Sequence, residues 1–466
     1  VASSITIASP EITAWLESRH AGTGTVTWAA GRILGHASAT LYNYAGALFD
    51  TQSEATLFES GDGTIKTFHN FGTVRKSAGT GTSAWSGTFN NSGTVTVQTG
   101  TLNPVGTVTL NTSTYSGAGK FLLTGCTLAG TLAIESRADV DFASGTMLGT
   151  GIIVGTLNWT GGMMGSGGTT TIATNGVLLI SGTTDKDLRR TLDNYGTVTW
   201  TDARILGHSS PIINNQAGAV FEARANTTLY ESGDGTIKTF NNSGTVRRTV
   251  GTGNTVWSGL FNNSATLIVE TGMLSLSGGG TSAGSFTNLA GATLEFSGGT
   301  HTLNDGMSFT GAGLSQIAGG AVNITAGATA SVTGTFGLAS GSLGGTGTFL
   351  VTSGSQFNWT GGTMDGTTGV TVITNGATLT ASGAADKDLR RRLDNHGTVA
   401  WTTGRILGHS TPVINNYAGA LFDTGTDATL FESGDGTVKT FNNAGTVRKS
   451  GGTGTSLWYG VFNQSG

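Results

Sequence analysis

Short stretches of alternating polarity recur along the whole chain, as in Gly196-Thr-Val-Thr-Trp200 and Ala265-Thr-Leu-Ile-Val-Glu270. They are rich in β-branched residues and bounded by Gly, Asn or Ser, the signature of short strands with one buried face. Helical periodicity is nearly absent. The one charged candidate, Asp185-Lys-Asp-Leu-Arg-Arg190, returns as Asp386 to Arg391. It is too short to stand alone as a helix and reads as a turn-like excursion.

An Asn followed by a small residue and a new strand marks a regular interval. From Asn194 to Asn215, Asn242 and Asn263 the steps are 21, 27 and 21 residues. Such lengths suit one coil of a parallel β-helix, in which two or three short strands separated by turns stack on the coil before. Equivalent Asn side chains one coil apart would then hydrogen-bond amide to amide. That predicts a structural ladder through Asn43, Asn70, Asn91, Asn194, Asn215, Asn242, Asn263, Asn395, Asn416 and Asn443.

A longer repeat overlies the short one. ESGDGTIKTF at Glu59 to Phe68 returns unchanged at Glu231 to Phe240, 172 residues on, and with Ile changed to Val at Glu432 to Phe441, 201 further. RILGH and the series Trp85, Trp257 and Trp458 obey the same offsets. The second copy carries 22 extra residues between Trp257 and Gly311, about the length of one coil. A stack of coils accepts such an insertion where a closed core would have to repack. The expectation is one continuous all-β parallel solenoid of roughly 20 coils. Its sequence units fall near 13–184, 185–385 and 386–466, within an array that extends beyond both ends.

Composition narrows the function. With 78 Gly in 466 residues but no period of three, the chain is not collagen-like, and 36% hydrophobic residues suffice for a core. A formal charge of −4 gives no attraction for nucleic acid, and no apolar run is long enough for a membrane-spanning helix. The single Cys126 cannot form an intrachain disulfide and reads as a buried thiol.

Candidate chemistry is confined to the repeated charged segments. Glu59 and Asp62, Glu231 and Asp234, and Glu432 and Asp435 could each supply part of a calcium site, but with too few oxygens. A carboxylate-capped turn near Lys66, Lys238 or Lys439 is the simpler reading, and no cofactor is expected. RILGH offers a guanidinium and an imidazole at fixed spacing. Arg32, His36, Asp185, Lys186, Arg189, Arg190, Arg204, His208, Lys387, Arg390, Arg391, Arg405 and His409 are accordingly the candidate contacts between chains. The tryptophans fall on alternating positions that face the coil interior; exposed, Trp159 and Trp359 would serve as sugar platforms.

Phe89-Asn-Asn-Ser-Gly-Thr-Val95 and Leu289-Ala-Gly-Ala-Thr-Leu-Glu-Phe296 resemble the passenger regions of bacterial autotransporters and filamentous-haemagglutinin-like adhesins. The resemblance implies a right-handed parallel β-helix, export and a place on or outside the cell. It carries over no functional residue. The expected role is a non-enzymatic segment of a fibre, sheath or surface layer that self-associates through its charged bands. A carbohydrate-binding adhesin is the alternative, and a polysaccharide lyase or hydrolase the third reading. Every dense charge cluster comes in copies, whereas an active site on a solenoid normally occurs once.

Overall fold

The computed structural model describes residues 4–8, 11–14, 18–20, 22–58, 61–231 and 233–465. Among these there is no helix; short parallel strands stack as about 21 turns of a β-solenoid. Two compact units are distinguished, residues 1–225 with 230–238, and residues 226–229 with 239–466.

In the first unit, Lys186–Leu188, Thr191–Asn194 and Thr197–Trp200 form one coil. They lie against Ile205–Gly207, Ile212–Asn215 and Val220–Ala223 of the next. Like stands over like: Leu192 registers with Ile213, Asn194 with Asn215 and Val198 with Phe221. In the second unit, Lys387–Leu389, Arg392–Asn395 and Thr398–Trp401 stack in the same way on Ile406–Gly408, Val413–Asn416 and Leu421–Thr424.

Alternating burial along most four-residue strands sends every second side chain inward, which leaves a narrow core filled by stacked large residues. In the first unit the Phe49, Phe68, Trp85 and Phe89 rings pack with centroids 5.0 to 6.0 Å apart. In the second unit Phe309, Phe336, Phe349 and Phe357 do so at 4.8 to 6.0 Å. Cys126 is buried, and burial pushes its thiol up to about 12, which leaves it unreactive near neutral pH.

The Asn-x-Gly-Thr turns have a direct physical explanation. Asn194 Oδ1 accepts the Gly196 N–H at 3.1 Å, while its Nδ2 donates to Asn215 Oδ1 at 2.8 Å and to the Val220 carbonyl at 3.0 Å. A Cβ on Gly196 would stand 2.3 Å from the carbonyl oxygens of both Ala173 and Gly176, so only glycine lets this corner close on the coil beneath. The same inner column links Asn43 to Asn70 to Asn91 in the first unit, and Asn242 to Asn263 and Asn395 to Asn416 to Asn443 in the second.

A second amide column runs outside the first, unforeseen in the sequence. Asn214 donates to Asp193; in the second unit Asn415 donates to Asp394, Asn442 to Asn415 and Asn463 to Asn442, at 2.7 to 2.8 Å. Inner amides donate toward the later coil and outer ones toward the earlier. Backbone contacts of the inner Asn residues and the carboxylates at Asp193 and Asp394 fix these directions.

Candidate functional site

The repeated motifs RILGH and ESGDGT meet to form a clamp between adjacent coils. In the first copy the Asp62 Oδ2 atom accepts the Ala37 N–H at 2.9 Å, and Thr64 Oγ1 accepts the Ser38 N–H at 3.1 Å. Asp234 and Thr236 hold Ser209 and Ser210 in this way, and Asp435 and Thr437 hold Ser410 and Thr411. The other carboxylate oxygen accepts a lysine Nζ: Lys66 at 2.5 Å, Lys238 at 2.5 Å and Lys439 at 2.6 Å.

The held backbone is strained in every copy. Ala37 and Ser38, Ser209 and Ser210, and Ser410 and Thr411 all have φ between 51° and 60°, in the left-handed region. These successive left-handed residues present two neighbouring N–H groups to the facing loop, the first to the Asp carboxylate and the second to the Thr hydroxyl. The Gly of RILGH is required by the lysine stem and an aromatic ring below it. A Cβ at Gly207 would lie 2.8 Å from Lys238 Cγ and 2.9 Å from Tyr230 Cδ1.

Beside each clamp runs a set of ion pairs. Arg204 bridges Asp185, at 2.5 Å, and Glu231, at 3.0 Å; Arg405 bridges Asp386, at 2.5 Å, and Glu432, at 3.3 Å. Asp187 accepts from Arg189 and His208, and Asp388 from Arg390 and His409. In the first copy His36 Nδ1 lies 3.4 Å from Asp62 instead. Arg32 is exposed at the start of its strand, and Glu59 lies outside the described residues.

The Glu and Asp of ESGD therefore serve different partners, so they do not converge as calcium ligands would. Among the described residues no group of three or more His, Cys, Asp or Glu is placed to hold a metal ion. No protein-family model and no curated protein matches the chain. What the clamp can do must be read from its own chemistry.

Four of the cations expected at chain contacts are corrected by their positions. Lys186, Arg190, Lys387 and Arg391 are buried, and Asp185 to Arg190 is no excursion, because Lys186–Leu188 is a strand of the coil. The alternation Lys-Asp-Leu-Arg-Arg sends Lys186, Leu188 and Arg190 inward and Asp187 and Arg189 outward. Lys387 Nζ donates to the carbonyls of Gly383, Ala385 and Thr403. Arg391 reaches those of Leu343, Gly344, Gly347 and Val370. Burial pulls Arg391 down to about 10, still far above neutral pH, so a charged guanidinium sits among carbonyl dipoles.

Among the described residues the tryptophans offer no sugar platform. Trp28, Trp85, Trp159, Trp200, Trp257, Trp359 and Trp401 are all buried, and Trp458 is half-buried. Sequence reasoning also passed over two other features. Lys120, Asp139, Asp141 and Asn158 form an unrepeated cluster, in which Lys120 Nζ is 2.5 Å from Asp141 and 3.3 Å from Asp139, and Asn158 donates to both carboxylates. The second is exposed aliphatic residues at the clamp tip: Ile65, Ile237 and Val438 are 69%, 65% and 61% exposed. Their recurrence in an otherwise polar decapeptide was the available signal.

The clamp makes an acid prediction. The lysine contact, with the N–H donors, holds Asp62, Asp234 and Asp435 well below the usual carboxylate range. Because the folded value is the lower one, the clamp's contribution is complete above the ordinary carboxylate value of about 4 and declines as pH falls below it. Hydrogen exchange at the Ser209 and Ser410 amides should accelerate at about pH 2.5, beyond the intrinsic change, while that of Gly196 should not. Equal behaviour of all three would show that the carboxylates do not hold the loops.

Proposed function

We propose that this chain is a non-enzymatic structural segment of an extracellular fibre, sheath or surface layer, built by lateral association of its own copies. The observation that carries this reading is the thrice-repeated aliphatic side chain on a braced loop. A β-branched residue more than half exposed on a clamp that costs two strained backbone residues in each copy is poorly explained by the coil alone. The clamp's charges are paired within the chain, so what it offers outward is the Ile or Val. Equivalent contacts need equivalent surfaces, and a second copy of the chain supplies them.

Export and a surface location rest on the style of the coils. The solenoid places no helix among its described residues that is long and apolar enough to cross a membrane. Negative-stain images and sedimentation of the chain are expected to show ordered assemblies. The combined variant Ile65→Ser, Ile237→Ser and Val438→Ser should remain dispersed with an unchanged far-UV spectrum. Dispersed wild-type rods under every native condition would count against assembly, and unaltered assembly of the variant would remove the clamp tip from the contact.

A further inference from the structure

Tyr42, Tyr44, His69 and Phe71 stand together on the outer face of the first unit as a block of near-parallel rings. Tyr42 stacks on His69 at 4.8 Å and 10°, and Tyr44 on Phe71 at 6.2 Å and 20°. Within each coil Tyr42 lies beside Tyr44 at 5.8 Å, and His69 beside Phe71 at 6.3 Å. The Tyr42 to His69 separation matches the spacing of neighbouring strands, so the ring planes lie across the stacking direction, in two layers of two.

The layers end abruptly. Asn90 is the residue in register with His69 on the next coil, and Ser92 follows Asn91 there as Phe71 follows Asn70. Asn90 Nδ2 lies 3.4 Å from His69 Nδ1 and caps that ring, but Ser92 is too small to cover its neighbour, and Phe71 is 45% exposed. One ring face of Phe71 thus overhangs a small hydroxyl residue and forms a ledge.

The coil does not need this block. The corresponding positions hold Asn214, Gln216, Asn241 and Ser243 in the second copy, and Asn415, Tyr417, Asn442 and Ala444 in the third. There the outer amides bond in a column, as Asn442 does to Asn415. In the first copy alone, four adjacent positions are aromatic and leave ring surface in water, a cost that folding does not require.

The surroundings indicate what would cover it. On the Phe71 side of the block the neighbouring outward positions are Thr67, Thr88 and Asn90, hydroxyls and an amide, while the one charged residue in register with the block, Arg19, pairs with Tyr42 on the opposite side. An uncharged hydrogen-bonding rim beside an open ring face complements an uncharged ligand that has an apolar face and hydroxyl edges. A pyranose ring has both. We propose that this block is a binding ledge for a neutral glycan, one sugar lying against the Phe71 ring with Asn90 and Ser92 bonding its hydroxyls.

The test titrates cellohexaose, laminarihexaose, maltohexaose, mannohexaose and chitohexaose into the full chain by calorimetry. Wild-type protein is expected to bind at least one. The double variant His69→Asn with Phe71→Ser installs the residues that the second copy carries in the same coil, so the fold has a precedent for it. Binding should weaken by at least about tenfold in that variant, whereas Tyr195→Ser, an exposed aromatic elsewhere in the same unit, should leave it unchanged. Absence of binding to all five sugars, or binding that survives the double variant, would overturn the proposal. So would a double variant that alters self-association while keeping its sugar affinity, since the block would then be a contact between copies.

Discussion

Arg190→Met is expected to destabilise the first unit by about 2–5 kcal/mol, because it strands buried carbonyls rather than merely removing a charge. The guanidinium donates to the carbonyl oxygens of Gly165 at 2.6 Å, Gly149 at 2.8 Å and Met147 at 2.5 Å, and to Thr170 Oγ1 at 3.3 Å. Methionine matches the apolar stem but offers no donor, and the glycine-rich turns above it bring no side chain that could replace one. Arg190 ties its own coil to the two before it, so the loss should stay confined to those coils. Hydrogen exchange between Gly149 and Thr170 should rise first, with an earlier urea transition in tryptophan fluorescence. Unchanged exchange there would mean that water satisfies those carbonyls and that the arginine is dispensable.

Asn70→Ala should cost about 2–4 kcal/mol, since one substitution opens the inner column on both sides. Asn70 accepts from Asn43 at 2.7 Å and donates to Asn91 at 2.7 Å, with the carbonyls of Gly72 and Thr94 at 3.3 Å. A double-mutant cycle with Asn91→Ala separates the ladder from simple cavity formation. Coupling of more than about 0.5 kcal/mol is expected. Additive losses would show that each Asn acts alone as a turn residue.

The coil was legible because its determinants are local and repeated. Thr197–Trp200 alternates, Asn194 and Gly196 mark the corner, and the intervals between Asn residues equal a turn of the stack. Lys186 and Arg190 were misplaced for the opposite reason. Charged residues are ordinarily solvent-facing, and what draws these inward is a set of backbone carbonyls in turns whose composition says nothing about hydrogen bonds left open. The clamp was half visible. Asp234 with Lys238 follows from an interval of four residues, but its grip on Ser209 joins segments 25 residues apart, and the strain in Ser209 and Ser210 has no glycine to announce it. The ring block of Tyr42 and His69 is written in the sequence only as a departure of one copy from the other two.

The two amide columns point in opposite directions, and this bears on how such an array can grow. A single file of aligned amides would leave a partial positive charge at one end and a partial negative charge at the other, as a helix does. Beside it, the column headed by Asp394 carries moments of reversed sense, so the sum stays small however many rungs are present. Coils that carry both columns can then be added while the exposed ends stay close to neutral in sum.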